Sequence, residues 1–218
     1  MRAINFAKLL PADIPPGERI LWHGRPGWVS LARHAFRVDF VAAYFALMTL
    51  WNAGMAALET SWGEAAVSAI KTAGSGLAAV LLLGLLAWLS ARTTLYVVTS
   101  RRVVMKVGIA LPVFFNLPFS GIAAASLCVY RDGSGDIPLA LGPGDRIAYL
   151  HLWPHARPLR LSRPEPALRC VAGAGRIADI LGRALVAAAN ERGVQGVRAS
   201  AAENDKAAAW RPGVVAAA

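Results

Sequence analysis

The chain reads as a membrane-anchored α+β protein: a two-helix transmembrane hairpin, then a run of short antiparallel strands, then one closing helix. Three observations predict this. Residues 40–58 and 72–91 carry no charge, and each is long enough to cross a hydrocarbon core of about 30 Å at ~1.5 Å per residue. Just past Arg92 the period changes. Leu95, Val97 and Thr99 alternate with Tyr96 and Val98, Ser100-Arg101-Arg102 interrupts, and residues 103–107 resume, which is a β-hairpin pattern. Composition agrees: 56% of the 218 residues are hydrophobic and only 17% charged, where soluble domains run near a quarter.

Taken in order, residues 1–39 form an irregular segment broken by Pro11, Pro15, Pro16 and Pro26, with a short strand at 20–22 before the turn His23-Gly24-Arg25-Pro26. Pro11 cuts the first apolar stretch short and no small-residue cleavage site follows, so a secretory signal is not expected. Residues 28–38 suit a short amphipathic helix at the membrane surface. Trp28, Leu31, Ala35 and Val38 share a face, while Arg33 and Arg37 lie elsewhere and reach toward lipid phosphates. A surface helix of a soluble domain is the alternative. The hairpin follows over residues 40–91, its spans joined through Ser61-Trp62-Gly63. Gly74, Gly76 and Gly84 on the second span are candidates for close helix packing.

Charge sets the expected orientation. Residues 1–39 hold six basic and three acidic residues, the 59–71 connection one basic and two acidic, and residues 92–218 sixteen basic and eight acidic. The positive-inside rule then puts both termini on the cytoplasmic side and the short connection outside. Most of the net charge of +10 is absorbed without a nucleic-acid partner; the arginines are scattered, not interleaved with aromatics. Residues 107–130 are also uncharged and long enough for a third span. Pro112, Asn116, Pro118 and Gly121 near their middle favour strands at 109–117 and 122–131.

Further strands are expected at 137–141, 146–153, 157–161 and 168–171. Turns such as Asp132-Gly-Ser-Gly135 between them make an antiparallel barrel or sandwich of seven short strands. Ile177, Ile180, Leu181, Ala184 and Leu185 form a helical stripe over 175–190, and the Ala/Gly-rich residues 191–218 read as a disordered tail.

No constellation points to catalysis. Gly173-Ala-Gly175-Arg-Ile-Ala178 fits a dinucleotide fingerprint in letters but lacks the second parallel strand of a βαβ unit. His151 and His155 flank Leu-Trp-Pro, where Pro154 argues against a helical i,i+4 pair. Neither Cys128 nor Cys170 lies in a paired motif, so no metal site is expected and the thiols read as unpaired. Neither span carries a histidine to ligate a porphyrin-type metal, and no cofactor is expected.

Ile20-Leu-Trp-His-Gly-Arg-Pro26 before the hairpin and Tyr96-Val-Val-Thr-Ser-Arg-Arg-Val103 after it resemble the bacterial PH-like domain proteins. Gly135-Asp-Ile-Pro-Leu-Ala-Leu and Arg146-Ile-Ala-Tyr-Leu-His-Leu-Trp-Pro-His-Ala-Arg-Pro158 are similar to the photosynthetic complex assembly proteins of purple phototrophic bacteria. The resemblance covers about residues 12–190. It implies a PH-like seven-stranded antiparallel β-barrel over 92–190, capped by the C-terminal helix. It also implies a non-catalytic assembly factor of the intracytoplasmic membrane, whose partners are reaction-centre and core-antenna subunits and possible further copies of itself. The alternative is a general lipid-surface module drawing on Arg92, Arg101, Arg102 and Lys106. Trp22, Gly24, Arg25 and Pro26 are expected at a barrel–membrane seam.

Overall fold

Ile20 pairs with Thr99 and Gly24 with Tyr96, so two strands adjacent in space are separated in sequence by the whole apolar hairpin. The computed structural model describes residues 15, 17–59, 61–109, 111–142, 149–157 and 164–209. Strand β1 (Ile20–Gly24) is followed by helix α1 (Trp28–His34), α2 (Val38–Glu59) and α3 (Trp62–Thr93) before β2 (Leu95–Thr99) resumes the sheet. The sheet-forming part of the chain is therefore discontinuous and includes residues 20–24.

α2 and α3 are each long and apolar enough to cross a membrane. α3 starts at Trp62, not at residue 72, because Ser61 caps it: the Ser61 hydroxyl accepts the Glu64 N–H at 3.3 Å, the first half of an S-x-x-E box. The expected long connection is mostly helix. α1 ends three residues before Arg37, whose φ of 54° turns the chain into α2, so the expected helix over 28–38 is two pieces.

Strands β2, β3 (Arg102–Val107) and β4 (Val113–Pro118) extend β1 into a four-stranded antiparallel sheet. β3 keeps a clean period of two, burying Val103, Met105 and Val107. Residues 107–130 are not a third helix: their described residues hold β4, β5 (Ile122–Ala125) and β6 (Cys128–Val129). β7 (Ser134–Leu141) is the hub of the second sheet and pairs with β5, β6 and β8 (Ala167–Ala172).

The expected closed barrel of seven strands is not what forms. Eight strands lie in two four-stranded sheets, and no pairing joins the sheets among the described residues. The expected strand at 146–153 is a helical turn, α4 (Tyr149–Leu152), over its described part, while residues 158–161 of the strand at 157–161 lie outside the described residues. The two sheets and helix α5 (Ala174–Ala209) enclose one apolar core. Tyr96, Val98, Met105, Ile137, Leu139 and Leu168 meet the Ile177, Leu181 and Ala184 stripe there. α5 continues to Ala209, past residue 190 where the sequence reading ends it.

Candidate functional site

The place where the hairpin enters the sheets is built in two layers. α1 supplies the apolar one. Leu31, Ala32 and Phe36 bury against Ala87 and Ala91 of α3 and Cys170 of β8. Gly27 N–H donates to the Cys170 carbonyl at 2.8 Å, tying the start of α1 to that strand. Cys170 sits in a left-handed conformation (φ 52°), and burial pushes its thiol up to about 12.

Beneath lies a polar chain. His155 is fully buried, and its Nε2 lies 3.0 Å from the Thr94 hydroxyl and 3.3 Å from that of Ser90, at the end of α3. Its Nδ1 meets the Tyr96 hydroxyl at 2.6 Å. That hydroxyl already accepts the Arg169 N–H at 3.2 Å, so its own proton goes to Nδ1 and Nε2 carries the proton of the ring. Burial, then the nearby Arg169 guanidinium, hold His155 down at about 3, so it is neutral.

Arg169 and Asp136 continue the chain as a buried ion pair, Nε to Oδ2 at 3.0 Å. Asp136 also accepts the Tyr130 hydroxyl at 2.6 Å and the Cys170 N–H at 2.8 Å. Arg169 donates onward to the carbonyls of Pro154 (3.3 Å) and His34 (3.4 Å). Burial lowers the affinity of the guanidinium for its proton, but Asp136, Cys170 and Tyr130 together outweigh it and the pKa rises. His34 stacks on Tyr130 at 3.7 Å, and Ser30 donates a short hydrogen bond to Asp132. That bond and one from Ser134 hold the Asp132 carboxyl at about 2. No buried side-chain polar atom among the described residues is left without a partner, so these groups are spent on joining α1, α3 and both sheets.

The expected site residues do not gather in one place. Trp22 lies half-buried against the core with its ring over Gly24, in the space a Cβ there would fill. Pro26 is buried and Arg25 exposed. Of the three span glycines only Gly76 is at a helix contact, where an added Cβ would come within 2.6 Å of Phe45; Gly74 and Gly84 meet nothing within 4 Å. An open apolar groove between α2 and α3 runs past Ala46, Thr49, Ala73 and Gly76.

The basic residues divide by register. Lys106 faces Leu95, beside the end of α3, with its ammonium 5.6 Å from the Phe114 ring. Arg92 lies 5.1 Å from the Trp88 ring. Arg101 and Arg102 are at the opposite end of the β2–β3 hairpin. Arg102 is taken up there by Glu18 through two bonds of 2.9 and 2.7 Å, with Thr99 donating to the same carboxylate at 2.6 Å. Burial alone would raise the Glu18 pKa, but these partners lower it. Arg33 pairs with Asp39 at 3.5 Å, and Trp28 and Arg37 are exposed.

Reasoning from residue types missed Tyr96, Asp136 and Arg169. A signal was present, because Asp136 and Arg169 are charges inside otherwise apolar strands, which demand partners when both faces are covered. No group of three metal-ligating side chains lies together among the described residues.

Residues 41–185 match the family described as bacterial PH domain. The chain is 38% identical over 188 residues to an uncharacterized 23.7 kDa protein in the puhA 5′ region of Rhodobacter capsulatus, covering 84% of this chain and 86% of that one. No solved structure matches. The chain belongs to the bacterial PH domain family.

Proposed function

We propose that the protein is a non-catalytic, membrane-embedded assembly factor for the photosynthetic reaction centre and its core light-harvesting complex, akin to the PuhB group. The observation that carries this reading is the relative lying in the puhA 5′ region, next to a photosynthesis gene. Two features support it. α2 and α3 present almost unbroken apolar flanks, suited to both lipid and the helices of client subunits. The polar chain through His155, Tyr96 and Arg169 fixes the sheets to the end of α3, so a partner gripping the hairpin also meets the sheet domain in a set orientation. In this reading the chain crosses the inner membrane twice with both termini cytoplasmic.

Tagged full-length protein purified from a phototrophic host tests the proposal. Reaction-centre or antenna polypeptides should co-purify during assembly, and pulse-labelled subunits should appear before mature complexes. Purification of the protein without any such polypeptide, under conditions that keep membrane complexes intact, overturns it.

A further inference from the structure

Strand register places one more apolar feature beside the base of the hairpin. β2 starts one residue after the C-cap of α3, and Leu95 at its start pairs with Lys106. β3 runs antiparallel to β2 and touches α3, so its C-terminal end lies beside the end of that helix. The β3–β4 connection comes next. Residues 107–113 carry no charge, Ile109 is 44% exposed and Leu111 is 81% exposed. Gly108 holds φ at 116°, and the Leu111 carbonyl occupies the space a Cβ would need, so this position requires glycine.

The last rung at this end of the sheet is Val107 with Val113, so the turn lies at the same end as Leu95, where β2 leaves α3. Trp88 is 39% exposed with Arg92 over its ring, an aromatic–cation pairing suited to the headgroup region. Lys106 borders the turn and Arg92 lies in the last turn of α3, while Ile109 and Leu111 are the turn's exposed apolar side chains.

We propose that the β3–β4 turn dips into the lipid monolayer as an interfacial anchor, Ile109 and Leu111 entering the acyl boundary and Lys106 meeting anionic headgroups. This rests on the membrane-spanning part of the reading above and not on the photosynthetic role. The anchor gives the first sheet a second attachment to the bilayer, beside the junction at the end of α3.

Full-length protein carrying Cys128→Ser and Leu111→Cys, labelled with an environment-sensitive NBD dye, would be reconstituted into vesicles of phosphatidylcholine and phosphatidylglycerol. Arg101→Cys in the same background is the control at the far end of the sheet. We expect flotation with the vesicles after alkaline washing. The position-111 dye should show several-fold stronger quenching by lipids spin-labelled near the headgroup than the position-101 dye, with iodide quenching in the reverse order. Equal iodide access at both positions in floating protein overturns the anchor alone; failure to float overturns the spanning reading with it. Protection of position 111 only in native membranes and not in pure lipid makes the turn a protein contact, and also overturns the anchor.

Discussion

The hairpin and the sheets use the same apolar residues to opposite ends. In the sheets Val98, Met105, Ile137 and Leu168 are fully buried, and the charges among them are paired side chain to side chain. In the hairpin Phe40, Leu50, Leu58, Ile70 and Leu81 face outward, and α2 buries no residue at all. The sheets carry their own solvent-free interior; the hairpin has only half of one and takes the other half from its surroundings. Damage to the sheets should therefore cost free energy by leaving groups unpaired, and damage to the hairpin only where the two helices touch.

The largest expected effect is at Arg169. Arg169→Met leaves the Asp136 carboxylate buried with its ion-pair partner gone, which costs about 3–5 kcal/mol. Thermal melting in mild detergent, followed by the near-ultraviolet signal, should show it. Adding Asp136→Asn should restore more than half of the loss. If the double variant is no better than the single, the pair is not the element that joins β7 to β8.

Next comes acid. His155 is neutral in the fold, with a folded pKa of about 3 against an ordinary 6.5. Below pH 6.5 the unfolded chain takes a proton that the native ring refuses, so stability is full above that pH and falls as pH drops toward 3. The slope is about 1.4 kcal/mol per pH unit. His155→Gln should lower the melting point at neutral pH yet flatten its decline between pH 6.5 and 5. An unchanged slope would mean that water reaches the ring.

The hairpin gives a smaller, sharper contrast. Gly76→Val forces Phe45 aside and should cost about 1–3 kcal/mol. Gly74→Val and Gly84→Val, which meet nothing, should stay within about 0.5 kcal/mol. Denaturing-detergent titration separates the three; equal losses would place a further packing surface on α3.

Much of this was legible in the sequence because it rests on local period. The uncharged runs, the alternation of β3 and the Ile177–Leu181–Ala184 stripe each follow from residue spacing alone. The start of α3 was legible too, in Ser61 and Glu64, although the cap lies well ahead of the uncharged run. The pairing of β1 with β2 was not legible, since nothing local says that two short strands meet across an inserted hairpin. Nor was the division of the basic residues. Arg102 and Lys106 sit close in sequence, yet one strand length separates a residue spent on Glu18 from one beside α3.

That last pair yields the smallest prediction and the one that probes the insertion itself. β1 is the strand whose link to its neighbour passes through the whole hairpin, so local connectivity does little to hold it in register. Glu18, two residues before β1, ties that end to Arg102 and Thr99. Its pKa is lowered in the fold, so its contribution is full above the ordinary value of 4.5 and is lost as pH falls below it. Glu18→Gln keeps the shape and one acceptor but removes the charge. With the Arg102 side chain 28% exposed, the loss should be about 1 kcal/mol. As a local opening that is about fivefold faster amide exchange, confined to β1. Equal acceleration in β3 would show that β1 opens only with the whole sheet, and that the register across the insertion is held by the core under Trp22 instead of by the ion pair at its end.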